Sequence, residues 1–104
     1  MRLERGDVIR VRKMFYWHYG IYISDERIVH YSCAPQHWWE VKPKIKEVSL
    51  NGFLGIYKKY EVFFREEANR EIIINKALCR IGEERYSLLS NNCKHFVMSC
   101  IASE

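Results

Sequence analysis

No stretch of this 104-residue chain holds enough consecutive apolar residues to cross a bilayer. Its start, Met1-Arg2-Leu3-Glu4-Arg5-Gly6-Asp7, has no apolar segment of the kind an export signal needs. These two absences predict a cytoplasmic protein. In that compartment the four cysteines, Cys33, Cys79, Cys93 and Cys100, are not expected to form a disulfide framework. Cys-x-x-Cys is missing too. Cys93 and His95 lie two apart and would point to nearly opposite sides of a helix. No metal site and no cofactor is therefore expected. Repeats, low-complexity tracts and Gly/Ser linkers are also lacking, so one domain over residues 1–104 is predicted. The net charge of +4 is spread along the chain rather than blocked. That gives a modest preference for an anionic surface such as phospholipid or nucleic acid, of which nucleic acid is not the expected partner.

What is present is the composition of a folded protein, 48% hydrophobic and 29% charged. The N-terminal half reads as strands: Asp7–Arg12, Tyr19–Ile23 and Ile28–Tyr31, the last two rich in β-branched and aromatic residues. The short polar stretch Ser24-Asp25-Glu26-Arg27 predicts a hairpin between them. Residues 33–44 hold both prolines and read as a loop. Lys44–Leu50 and Tyr57–Phe64 are further strand candidates.

The pattern then changes. Ile74, Ala77, Leu78 and Ile81 share one helical face. Glu66 and Glu67 are expected in the first turn, Arg80 in the last, and Gly82 as the stop. A second helix carries Cys93, Phe96, Val97, Cys100 and Ile101 on one stripe, with Asn92 as its N-cap. Strands followed by helices predict an α+β fold.

Cys93 is the residue that can carry chemistry. As first residue of a helix it meets unsatisfied N–H groups and the positive end of the dipole, which favour a thiolate. It also heads the apolar stripe, so its sulfur is expected toward the sheet. A cysteine so placed is ordinarily a small core residue; it becomes a nucleophile only beside a base. The two strand histidines, His18 and His30, are the candidates. A two-residue Asp25-Glu26 turn pairs 23 with 28 and puts them on opposite faces. An odd-length loop sets His18 opposite position 32 and His30 diagonally beside it on the same face. An active pair therefore requires the odd-length loop. Cys33, Cys79 and Cys100 have no base near them in sequence. His95 reads as structural, and His37 sits in the loop without a nameable partner.

Two stretches together resemble a known family. Gly6-Asp7-Val8-Ile9 leads into Tyr16-Trp17-His18-Tyr19-Gly20-Ile21-Tyr22-Ile23 and Val29-His30-Tyr31; Asn91-Asn92-Cys93-Lys94-His95-Phe96-Val97 comes much later. In order and spacing these are similar to the H-box and NC motifs of the lecithin:retinol acyltransferase-like family. That family includes the small phospholipase/acyltransferases and lies within the NlpC/P60 group. The resemblance implies a circularly permuted papain-like fold, an antiparallel sheet packed against helices. It implies Cys93 as nucleophile, His18 as general base and acid, and His30 as the group orienting His18. It also implies Tyr16 as a stabiliser of the oxyanion, with the Cys93 backbone N–H as a second donor.

The substrate implied is a lipid ester or other acyl compound, cleaved or transferred through a Cys93 thioester. Two alternatives stay open: a peptidase or amidase of the NlpC/P60 type, and a non-catalytic interaction module carrying the same motifs. The sequence departs from the family at Lys94, where Glu is usual, and at Trp17, where phospholipase members carry a basic residue. Many members have a hydrophobic C-terminal anchor, and the sequence read here, ending at Glu104, holds none. Peripheral membrane contact would then fall to Trp38 and Trp39, which have lysines nearby.

Overall fold

The computed structural model describes residues 2–13, 16–32, 43–84 and 92–102. Cys33, His37, Trp38 and Trp39 lie outside the described residues, and with them the expected membrane contact. Five strands form one antiparallel sheet: β1 Val8–Arg12, β2 Trp17–Ser24, β3 Arg27–Tyr31, β4 Ile45–Val48 and β5 Tyr60–Phe64. Their order across the sheet is β4-β3-β2-β1-β5. Among the described residues three α-helices accompany them: α1 Leu50–Leu54, α2 Arg70–Cys79 and α3 Cys93–Ile101. The architecture is α+β, as the order of patterns predicted.

Both faces of the sheet are covered. Val8, Tyr19, Ile21, Ile23, Val29, Tyr31 and Ile45 turn to one side, under α2 and α3. Ile9, Val11 and Ile28 turn to the other, where Phe53 and Leu54 of α1 close over them. Such two-sided burial explains why β3 is buried at four successive positions instead of alternating.

The hairpin between β2 and β3 departs from expectation in its route. The loop is the two-residue Asp25-Glu26 turn, with Ser24 paired to Arg27. A bulge between Tyr22 and Ser24 then shifts the register by one, so that Tyr22 pairs with Ile28 and Ile21 with Val29. The parity that brings His18 and His30 to one face is thus set by the bulge and not by an odd-length loop.

Two strand readings and one helix reading are trimmed. In 44–50 the strand ends at Val48, because Ser49 caps α1 by accepting the Gly52 N–H at 3.1 Å. The 57–64 strand begins only at Tyr60. Glu67 belongs to a single 3-10 turn, Glu67–Asn69, ahead of α2, leaving Glu71 as the acid of the first helical turn. That helix ends at Cys79; Arg80 is its cap and Gly82 turns the chain at φ 98°. Ile81 therefore leaves the buried face and is exposed, while Ile73 joins Ile74 and Ala77 in the core.

Candidate functional site

The helix that carries Cys93 forms as its sequence directs. Asn92 is extended, and its side-chain oxygen accepts the N–H groups of Lys94 at 3.0 Å and His95 at 3.1 Å. The His95 ring answers by accepting the Asn92 N–H at 3.3 Å, which completes a capping box. His95 is thereby tied to the helix start. Lys94 is exposed, away from the sheet. Phe96, Val97 and Cys100 are buried against α2 and the sheet, and that packing fixes the direction of the helix. Cys93, 7% exposed, sits at its first residue.

The histidines lie on β2 and β3, on the face that α1 covers. Register sets His30 diagonally across from His18. The Nε2 of His18 and the Nδ1 of His30 are 2.9 Å apart, and their rings meet edge to face at a centroid distance of 5.1 Å. Phe53 stacks on His18 at 5.2 Å and meets His30 edge-on at 5.6 Å. Gly20, between His18 and Tyr22 on β2, makes room for it. A Cβ there would stand 2.7 Å from the Phe53 ring and 2.9 Å from Ile28. A glycine within a strand is the one sequence signal for this close approach. Phe53 itself, on the unpredicted helix α1, left no such signal.

Cys93 reaches β2 at the residue that precedes His18. Cys93 packs with the Tyr19 and Tyr31 face, whereas the imidazoles pack with Phe53 on the other. Even-numbered residues of β2 bond to β1, as Lys13 N–H to Tyr16 O and Tyr22 N–H to Asp7 O demonstrate. The Trp17 carbonyl therefore points the other way, toward the β3 side, past Ser32. The Cys93 thiol donates to that carbonyl at 3.9 Å. The thiol thus meets the sheet at its edge, on the residue immediately before His18. Tyr16, 46% exposed, presents its ring edge-on to His18 at 6.5 Å.

Burial dominates the electrostatics of the pair. His18 is 3% and His30 8% exposed, and desolvation pushes both below the usual 6.5, His18 to about 3 and His30 to about 4. Nearby positive charge acts in the same direction, Lys13 on both rings and Lys46 on His30. Both imidazoles are neutral at pH 7, so each can accept or donate at a given nitrogen. His18 Nδ1 and His30 Nε2 are buried and lack a hydrogen-bond partner among the described residues. The other thiols offer less: burial raises Cys100 to about 11, and Cys79 is exposed on α2. Among the described residues no group of three or more His, Cys, Asp or Glu side chains is placed to hold a metal ion.

A helix-start cysteine beside a sheet that carries a buried histidine pair defines a broad class of α+β proteins. Comparison with known proteins narrows it. The model of the lecithin retinol acyltransferase family matches residues 1–104, and the chain belongs to that family. Lecithin retinol acyltransferase of Rattus norvegicus is 30% identical over 92% of this chain and 53% of its own length. The Bos taurus protein of that name is 32% identical with the same coverage. Phospholipase A and acyltransferase 4 of Homo sapiens is 26% identical over 88% of this chain and 65% of its own. The chain spans about half the length of the lecithin retinol acyltransferases it matches.

Proposed function

We propose that the chain is a thiol-dependent acyltransferase or hydrolase acting on a lipid ester, with residues 1–104 as one catalytic domain. One observation carries the reading: His18 Nε2 is engaged by His30, which leaves His18 Nδ1 without a partner among the described residues, one residue from the carbonyl that holds the Cys93 thiol. Membership of the family and the names of the relatives favour a lipid acyl substrate. The order of elements, histidine strands before cysteine helix, fits a circularly permuted papain-like arrangement.

The chemistry follows from the neutral pair. Cys93 Sγ attacks the ester carbonyl while its proton passes to His18 Nδ1. The charge on His18 is supported by His30 Nδ1, which accepts from His18 Nε2–H. Tyr16 and the Cys93 N–H serve the oxyanion. Collapse breaks the ester C–O bond, and the leaving alkoxide takes the proton from His18. A thioester remains on Cys93. Water, or an acceptor amine or hydroxyl, then attacks it and gives its proton to His18, which returns it to the departing sulfur. Peripheral contact with a membrane from the cytoplasmic side suits such a substrate, and no helix among the described residues is long and apolar enough to cross one.

The test uses a short-chain phospholipid and intact-mass spectrometry on wild type and Cys93→Ser. The expected result is an acyl-sized adduct on wild type, absent from the variant, with fatty acid released or transferred. Absence of both adduct and released fatty acid from wild type sinks the proposal.

A further inference from the structure

A cavity of about 230 Å³ opens over the histidine pair on the α1 face. Lys13, Lys46, His18 and His30 line it, with Val48 and Phe53 as apolar walls, and among the described residues no carboxylate lines it. Among the described residues, neither lysine has an acidic side chain within 4 Å. This sets them apart from Arg5, Arg10, Arg27, Arg65, Arg70 and Arg80, each of which holds one. The lysines also act on the rings, since their charge lowers the proton affinity of the histidines.

Proton placement adds a donor to the cavity. For His18 Nδ1 to accept a proton, the hydrogen between the rings must sit on His18 Nε2 and point at His30 Nδ1. His30 then carries its own hydrogen on Nε2. That atom is buried and has no partner among the described residues. A buried N–H without an acceptor is costly. The same cavity is lined by two ammonium groups that, among the described residues, have no counter-charge. Among the described residues, every polar group of this cavity still lacking a partner, other than the base nitrogen itself, is a donor.

We propose that the cavity binds an anionic oxygen of the phosphate class. His30 Nε2–H donates to it, and the Lys13 and Lys46 ammonium groups balance its charge. Only the direction of the proton rests on the acyl-transfer reading; the cavity and its lysines do not. An anion held at His30 Nε2 makes His30 Nδ1 a stronger acceptor, which fixes the tautomer of His18 and raises the basicity of its Nδ1. The anion would therefore tune the base from behind. A phospholipid headgroup carries such an oxygen on the same glycerol as its acyl esters, and free phosphate carries it too.

The experiment is a titration of isotopically labelled protein with inorganic phosphate at constant ionic strength, reading the imidazole nitrogen signals by NMR. Glycerophosphocholine is the headgroup arm and glycerol the uncharged control. The expected result is a saturable shift of the His30 and His18 ring signals, weakened about tenfold or more by Lys13→Gln with Lys46→Gln. Lys59→Gln, an exposed change elsewhere, leaves it intact. Competition by glycerophosphocholine assigns the site to the headgroup; response to phosphate alone assigns it to the free ion. Ring signals that stay still, or that shift equally in the double variant, overturn the proposal. Cys93→Ser keeps phosphate binding while losing any acyl adduct, so the two proposals fail separately.

Discussion

The Nε2 of His18 lies 2.9 Å from the Nδ1 of His30, in a setting so desolvated that both rings stay neutral at pH 7. This contact commits one nitrogen of each ring and leaves the other two, His18 Nδ1 and His30 Nε2, facing opposite tasks. The first stands one residue from the carbonyl that holds the Cys93 thiol; the second belongs to a ring that lines the lysine-bearing cavity.

Substitutions should separate these tasks. His18→Ala is expected to lower acyl transfer by roughly 10²–10⁴-fold, the range for loss of a general base. His30 is a positioning residue, so His30→Leu should also reduce kcat, whereas His30→Asn keeps an acceptor for His18 Nε2–H and should retain more. Steady-state kinetics with a soluble ester measures both. Equal loss in the two His30 variants would contradict the positioning role.

Stability should fall as the medium turns acid, beginning above the carboxylate range. In the unfolded chain each histidine takes a proton near 6.5, but in the folded chain only near 3 or 4. Below pH 6.5 the unfolded state binds more protons, so stability is full above that value and lost as pH falls. Two such groups cost about 2–3 kcal/mol between pH 7.5 and pH 5.5. Urea midpoints at those two values check it. His18→Gln should flatten the change by about half, and a variant slope equal to wild type would rule out this cause.

Gly20→Ala should unseat Phe53. The added methyl would stand 2.7 Å from the ring that stacks on His18. Overpacking of this kind costs roughly 1–3 kcal/mol. Thermal unfolding should record that loss, and the imidazole signals of His18 and His30 should move together. Unchanged ring signals would show that Phe53 does not hold them.

Asn92→Ala removes the oxygen that caps two N–H groups at the start of α3. The expected loss is about 1 kcal/mol of stability. Because Cys93 is the next residue, its alkylation rate should change as well. Asn92→Asp or Asn92→Ser keeps an acceptor and should recover most of the stability. Chemical denaturation alongside peptide mapping after iodoacetamide treatment measures both effects.

Much of α3 was legible because local rules governed it. An N-cap asparagine, a stripe at i, i+3 and i+4, and a cysteine at the first position all act within two turns of helix. The helix consequently appears over Cys93–Ile101 with Cys93, Phe96, Val97 and Cys100 buried and Ile101 partly so. The strands were legible for a similar reason, since β-branched and aromatic runs favour extended chain. Their ends were less so: Ser49 caps a helix that the run 44–50 had absorbed into a strand. The helix before Gly82 ends already at Cys79, two residues short of Ile81, which is why Ile81 is lost from the buried face.

The sequence by itself determined which residues could be nucleophile and base, because residue type and helix position depend on near neighbours alone. Only the tertiary structure decided which face of the sheet each one takes. A one-residue bulge between Tyr22 and Ser24 chose the face shared by His18 and His30. A helix some thirty residues further on supplied Phe53 to bury them, and their burial, a property of the whole packed sheet, made them neutral. Lys13 and Lys46 came to one cavity through strand order, which no local pattern encodes.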